Sequence, residues 1–322
     1  MNKERKELLV VENLKMHFMV KGEGILGKKK YVKAVDGISF TIYEGETLGL
    51  VGESGCGKST TGKMIVRLLE PTHGNITFRG ENMLSLSKEQ FRKYRKEIQM
   101  IFQDPYSSLD PRQSIGRTIG EPLRVNKIKG DTNQRVKKIM GEVGLREEVF
   151  NRYPHEFSGG QRQRIGVARA LALDPTLIVC DEPVSALDVS IQAQILNLME
   201  DLQDKFQLTY LFISHDMSVI KHVCDRIAVM YLGRIVEITE KKALFDKPLH
   251  PYTRALMEAI PVPDPRFVKE QGSLTGDVPS PIDLPPGCRF QSRCTECMDI
   301  CKIEEPVLKE AEPGHFVECH IY

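Results

Sequence analysis

Several things are missing from this 322-residue chain, and each absence closes off a class of function. It has no excess charge: the formal net charge is +1, which offers no electrostatic reason to expect bulk binding to nucleic acid or to an acidic surface. It has no apolar run near the ~18 residues that a membrane span needs. Its longest runs, such as LTYLFIS at 208–214, are strand-sized. The opening MNKERKELLVVEN lacks the apolar core and small-residue cleavage site of a secretory leader, so a cytoplasmic protein is expected. In that compartment reducing conditions disfavour disulfides. What remains is the composition of an ordinary globular protein, 41% hydrophobic and 28% charged, in a chain long enough for about two domains.

The first informative stretch is TLGLVGESGCGKSTTGKMIVRLLE. Leu48 to Val51 reads as a buried strand and an apolar-periodic helix starts at Lys58. Between them Gly52, Gly55, Gly57, Lys58 and Ser59 match G-x-x-x-x-G-K-[ST], the phosphate-binding P-loop. Glycines let backbone N–H groups curl around an anion, and the helix start adds its positive dipole end. Candidate nucleotide contacts therefore run from Gly52 through Glu53, Ser54, Gly55, Cys56, Gly57, Lys58 and Ser59 to Thr60. Lys58 is placed to reach the β- and γ-phosphates and Ser59 to offer a hydroxyl to Mg²⁺. Cys56, a small residue inside the loop, reads as packing rather than redox chemistry.

A second apolar run, Leu177 to Cys180, ends on Asp181 and Glu182. Ligands bind at the carboxyl ends of strands in a doubly wound sheet. Asp181 suits Mg²⁺ and Glu182, one residue on, suits a general base that polarises water. Just upstream, FSGGQRQRIGVARALALDP places Ser158 as a helix cap, with Gly159 and Gly160 leaving the first N–H groups open.

SGGQ at Ser158–Gln161 resembles the signature of the ATP-binding-cassette (ABC) family, with Phe157 where Leu is more usual. Ser185–Asp188 resembles its D-loop, Gln103 in MIFQDP its Q-loop, and His215 in LFISHDM its switch histidine, all in the family's order. The resemblance implies an α/β fold: a P-loop NTPase core of RecA type, an antiparallel β-subdomain and an α-helical signature subdomain at about 104–165. It implies ATP hydrolysis with Gln103, Asp181 and Ser59 around Mg²⁺ and with Glu182, His215 and Gln103 as catalytic groups. It also implies that Ser158, Gly159, Gly160 and Gln161 act in trans on nucleotide held by a second cassette, since this chain has one P-loop and one signature. An aromatic residue stacks on adenine in the family; Phe18 is favoured over Tyr31 because it fits an early strand, whereas Tyr31 follows a Gly- and Lys-rich loop.

QDPYSSLDPRQSIGRTI and YLGRIVEITEKKALFDKPLHPYTRALMEAIP are similar to oligopeptide and dipeptide permease ATPases, most of all the F-type subunit. The second stretch reads as a strand pair followed by two short helices. The division expected is a cassette over 1–240 and a C-terminal extension over 241–322. The partners implied are a D-type second ATPase subunit, two transmembrane permease subunits and, indirectly, an extracytoplasmic peptide-binding protein, with this chain peripheral on the cytoplasmic face of the membrane. Tyr106 and Leu109 are candidate contacts for a permease helix, although each could pack internally. Nickel as the substrate, or a cassette ATPase outside transport, is the alternative.

Five of the eight cysteines follow a proline-rich stretch that begins at Pro261: Cys288, Cys294, Cys297, Cys301 and Cys319. The stretch reads as an extended linker or wrapped tail. Cys294 and Cys297 could open a zinc site that His315 and His320 complete. Four thiolates with uneven spacing could instead hold an iron–sulfur cluster. The GCRF…RC…C…GH…C-x-H pattern resembles the permease tail, and that resemblance selects Cys288, Cys294, Cys301 and Cys319 as [4Fe-4S] ligands, with Cys297 a spare thiol.

Overall fold

The computed structural model describes residues 5–20, 29–104, 106, 108–259, 279–282 and 284–322. The chain groups into two compact units. One gathers Tyr43–Thr47 and the described residues of Ser85–Ile213 with Arg5 and Lys6. The other gathers Glu7–Ile42, Leu48–Leu84 and Ser214–Tyr322.

In the first unit, strands Ile98–Ile101, Leu177–Asp181 and Thr209–Ser214 pair in parallel, with Ile98 opposite Leu177 and Leu177 opposite Thr209. Leu177–Asp181 and Thr209–Ser214 are buried along their whole lengths, as continuous apolar runs in a parallel sheet require. Helices Ile115–Val125, Thr132–Glu142, Gly159–Leu171 and Val189–Phe206 accompany them, and Ile115–Val125 packs on both Thr132–Glu142 and Gly159–Leu171. Helices Ile115–Val125, Thr132–Glu142 and the start of Gly159–Leu171 fall within the 104–165 range where an α-helical subdomain is expected. The apolar stripe of Ile115–Val125 is buried through Ile115, Ile119 and Leu123.

The second unit contains a four-stranded sheet in the order Lys30–Tyr43, Glu7–Val20, His73–Phe78, Glu81–Asn82, with Glu7–Val20 and His73–Phe78 antiparallel. It also contains Thr47–Val51, paired in parallel with Arg226–Tyr231, and Arg234–Glu240 antiparallel to the latter. The C-terminal tail extends this ladder. His315–Val317 pairs antiparallel with Arg234–Glu240, and Lys309–Glu312 pairs with His315–Val317 in turn. The strand pair and the two short helices expected after residue 230 are present, the helices spanning Lys241–Asp246 and Pro251–Glu258. Most of the proline-rich stretch, 260–278, lies outside the described residues.

Beneath the tail, the fully buried Glu237 carboxylate joins three elements. Its Oε1 accepts from the Leu249 N–H at 2.8 Å and from His315 Nε2 at 2.7 Å, and its Oε2 accepts from the His250 N–H at 2.9 Å. His250 Nδ1 then caps the next helix by accepting from the Tyr252 N–H at 3.0 Å. A buried carboxylate is tolerable because every oxygen has a donor.

Candidate active site

Strand Thr47–Val51 runs into the loop and helix Lys58–Ile65 follows, both where the sequence pattern puts them. Two glycines are dictated by space and backbone. At Gly52 (φ 152°) a Cβ would lie 2.0 Å from the Met230 carbonyl oxygen, and at Gly57 (φ 109°) it would lie 2.1 Å from that of Ala34. No side chain therefore fits where the loop turns. Gly57 also occupies the cap position of the helix without supplying a side-chain acceptor. The helix start thus keeps the donor character that suits an anion.

Lys58 is buried, and its Nζ donates to the carbonyls of Gly52 at 2.8 Å and Glu53 at 2.9 Å. Its charge is held inside the curl of the loop. Cys56 is buried as well; burial pushes its thiol pKa up, with Lys58 pulling the other way, in keeping with a packing role. Ser59 and Thr60 sit half-buried on the first helical turn, and Ser54 and Gly55 are exposed. Glu53 is engaged by residues far along the chain: its N–H donates to the Tyr252 hydroxyl at 2.9 Å. Its carboxylate takes both arms of the Arg293 guanidinium at 2.8 and 2.9 Å.

In the other unit Asp181 closes its buried strand and is itself buried. Glu182 follows with φ 47°, a left-handed backbone that is costly for a residue with a side chain and that recurs at functional sites. Its N–H donates to the Ile213 carbonyl at 2.9 Å. Gln103, exposed just beyond strand Ile98–Ile101, donates from Nε2 to Glu182 Oε2 at 2.8 Å, so two of the three expected catalytic groups meet. The third, His215, is exposed directly after strand Thr209–Ser214.

Ser158 caps helix Gly159–Leu171 in a reciprocal capping box with Gln161. Ser158 N–H donates to Gln161 Oε1 at 3.1 Å, and Gln161 N–H donates to Ser158 Oγ at 3.4 Å. Phe157 is buried just ahead of the cap, whereas Ser158 and Gln161 are exposed, so the signature presents its polar face outward on an apolar footing. A Cβ on Gly160 would meet Ile191 Cγ2 at 2.4 Å, which gives this glycine a packing reason as well.

Other candidates sort differently. Phe18 (36% exposed) and Tyr31 (47%) both lie on strands of the same sheet, so strand membership does not separate them. Tyr106 is exposed, with the Arg162 guanidinium 3.9 Å above its ring, whereas Leu109 is buried and packs internally.

The tail cysteines are free thiols; Cys301 and Cys319 are buried and Cys288 and Cys294 half-buried. They lie near enough to act on one another. Burial raises the Cys288 pKa to about 12, and the charges of Cys301, Cys319 and Cys294 push in the same direction. Cys297 interacts with Cys301. Among the described residues, no group of three or more His, Cys, Asp or Glu is arranged to hold a single metal ion. The zinc set built on both histidines is not assembled: His315 is tied to Glu237, and His320 Nε2 donates to the Glu304 carbonyl at 2.9 Å.

Sequence reasoning missed the Glu53–Arg293 pair and the Glu237 network. HPYTRAL (250–256) carried the available signal, since His250 and Tyr252 belong to these two contacts.

The model of the ABC transporter family matches residues 35–185, and that of the oligopeptide/dipeptide transporter C-terminal region matches 236–301. The putative oligopeptide transport ATP-binding protein YkfD of Bacillus subtilis is 52% identical over 99% of this chain and 96% of its own length. This chain belongs to the ABC transporter family. The oligopeptide transport ATP-binding proteins AppF of B. subtilis (52% identical, 98% of this chain and 97% of that protein) and OppF of Escherichia coli (50%, 98% and 96%) agree. Among solved structures, cbiO1 of the Clostridium perfringens cbiONQ transporter complex superposes with a TM-score of 0.64 at 26% identity, over 75% of this chain and 92% of that one. The ATP-binding cassette MJ0796, a dimer in a post-hydrolysis state with ADP and Pi, gives 0.63 at 27% identity over 73% and 99%. The fold is therefore that of an ABC cassette, and the chain is an ABC ATPase. No helix among the described residues is long and apolar enough to cross a membrane.

Proposed function

We propose that this ABC ATPase energises the uptake of oligopeptides or dipeptides through partner transmembrane subunits. The observation that carries the reading is the match of residues 236–301 to the oligopeptide/dipeptide C-terminal region, joined to about 50% identity with oligopeptide transport ATP-binding proteins along nearly the whole chain. The ATPase works at the cytoplasmic face of the membrane, bound to two permease subunits that an extracytoplasmic peptide-binding protein supplies. A second cassette, a D-type paralogue, completes the ATPase pair.

In this reading Gly52–Thr60 cradle the triphosphate, with Lys58 on the β- and γ-phosphates. Ser59, Gln103 and Asp181 hold Mg²⁺, and the donor set fits: a hydroxyl, an amide oxygen and a carboxylate are the hard oxygen ligands this ion takes. When held there, Mg²⁺ would supply positive charge against the charge that develops on the phosphates. Gln103 has chemistry for both roles, since its Nε2 donates to Glu182 and an amide oxygen is an acceptor that can serve a metal. Glu182 takes the proton of the attacking water, and its strained backbone and amide partner hold the carboxylate in one orientation. His215 senses the γ-phosphate. Ser158, Gly159, Gly160 and Gln161 contact nucleotide on the partner cassette; Ser158 and Gln161 are exposed and the two glycines half-buried. Phe18 stacks on adenine, with Tyr31 as the second candidate.

Cys288, Cys294, Cys301 and Cys319 hold a [4Fe-4S] cluster in this reading, with zinc the weaker alternative. Two of the four are joined through the backbone, the Cys288 N–H donating to the Cys301 carbonyl at 2.7 Å, and all four thiols are buried or half-buried. When bound, the cluster cross-links a segment with few core residues, since ligation free energy is folding free energy. Uptake of labelled di- and oligopeptides by cells lacking this subunit tests the transport reading. Loss of uptake, restored by the wild-type chain, is expected. Unchanged peptide uptake with lost nickel accumulation would move the substrate to nickel.

A further inference from the structure

The C-terminal segment grips the phosphate loop at one residue, Glu53. Its backbone N–H donates to the hydroxyl of Tyr252 in helix Pro251–Glu258. Its carboxylate is held by the Arg293 guanidinium through two parallel bonds. Arg293 itself has almost no freedom. Its side chain is 4% exposed, its guanidinium lies 5.8 Å from the Tyr231 ring centroid and 6.0 Å from that of Phe290, and one arm reaches the Tyr231 hydroxyl at 3.5 Å. Tyr231, Tyr252 and Phe290 pack on one another with centroids 4.6 to 5.5 Å apart, forming a rigid aromatic block under the pair. Fork-to-fork pairing fixes distance and angle together, which a single hydrogen bond does not.

Glu53 lies between Gly52, whose backbone admits no side chain, and the residues that curl toward Lys58. The Glu53 carbonyl is also one of the two that hold the Lys58 ammonium. Three groups of this one residue are therefore fixed: the N–H by Tyr252, the carboxylate by Arg293 and the carbonyl by Lys58. A shift of Glu53 would move both the loop backbone and the lysine.

We propose that Arg293 and Tyr252 are positioning residues for the phosphate loop, holding Glu53 so that the loop is set for a nucleoside triphosphate before it binds. Loop pre-organisation is then supplied from the C-terminal segment, and nucleotide affinity depends on residues some 200 to 240 positions away. Arg293 directly precedes Cys294 and lies five residues after Cys288, so the order of the thiol segment reaches the loop through this side chain. The inference rests on the ATPase reading of the P-loop.

The test compares wild-type chain, Arg293→Ala, Arg293→Lys, Glu53→Gln, Tyr252→Phe and the double variant Arg293→Ala/Glu53→Gln in the assembled transporter. It reads the Kd for ATP with Mg²⁺, the KM and kcat of hydrolysis, and the Tm without nucleotide. Loss of one well-placed donor or anchor is expected to raise Kd and KM roughly tenfold with kcat changed less. Arg293→Lys should recover part of the affinity, and the double variant should be no weaker than the worse single one. Glu53→Gln leaves the C-terminal segment intact and guards against a variant that merely misfolds: it should weaken ATP binding without lowering Tm as Arg293→Ala does. Wild-type affinity in Glu53→Gln and Arg293→Lys, or additive losses in the double variant, would overturn the proposal. Failure of the wild-type chain itself to bind ATP would instead overturn the ATPase reading.

Discussion

Replacing Glu237 by Gln removes one oxygen from a site where both are used. The carboxylate is fully buried and accepts from Leu249 N–H, His250 N–H and His315 Nε2. A glutamine can place its oxygen toward Leu249 and His315 only by turning its NH₂ group onto the His250 N–H. That sets donor against donor. The reverse orientation abandons two bonds instead of one. A charge-assisted hydrogen bond contributes about 1.5–3 kcal/mol, and a buried unpaired donor costs about 1–3 kcal/mol. The variant should therefore lose about 3 kcal/mol, roughly two orders of magnitude in the folding equilibrium. The chain has no tryptophan, so urea unfolding is best followed by far-UV circular dichroism. The urea midpoint should fall with the m-value unchanged. Glu258→Gln, at an exposed position of the neighbouring helix, is the control and should stay within about 0.5 kcal/mol. A loss below about 1 kcal/mol for Glu237→Gln would refute the view that this carboxylate clamps the tail strand and the Pro251–Glu258 helix to Arg234–Glu240.

His250 supplies a pH-dependent expectation. Burial, with help from Arg254 and against Glu237, pulls its pKa from 6.5 to about 4. The unfolded chain takes up the proton near pH 6.5 and the folded chain does not. Its contribution is thus complete above 6.5 and is lost as pH falls toward 4, an effect of about 3 kcal/mol. His250→Asn, which keeps a capping oxygen for the Tyr252 N–H, should flatten this acid-side slope in urea midpoints at pH 4.5, 5.5 and 7; an unchanged slope would remove His250 as its source. Protein purified without oxygen should carry about four irons with matching sulfide per chain, since four thiolates ligate such a cluster. The visible absorption should disappear in Cys301→Ser; zinc alone, or no metal in folded protein, would overturn the cluster assignment.

What was legible in the sequence was local. Leu48–Val51 and Leu177–Asp181 announce themselves because parallel strands buried on both faces need unbroken apolar runs, and Lys58–Ile65 because a phosphate loop demands a helix start. Ser158 was legible as a helix cap, and the structure adds the reciprocal contact from Gln161 that completes a capping box. Leu109 illustrates the limit: nothing in YSSLDP distinguishes a buried leucine from one that meets a partner. The tail strands are the harder case. His315–Val317 is three residues long, too short for any periodicity, and finds its place only by pairing with Arg234–Glu240. The contact between Glu53 and Arg293 spans 240 residues, and no local pattern reports a partner at that separation. The reading of Cys294, Cys297, His315 and His320 as zinc ligands weighed spacing alone; it could not know that Glu237 takes His315.

If Glu182 is the base that activates water for ATP hydrolysis, Glu182→Gln in the assembled transporter should separate binding from turnover. Steady-state phosphate release and ATP retention should be measured together, beside the wild-type complex. ATP should still bind while turnover falls at least about 10²-fold, the loss expected when a general base is removed. Turnover near the wild-type rate would contradict that role.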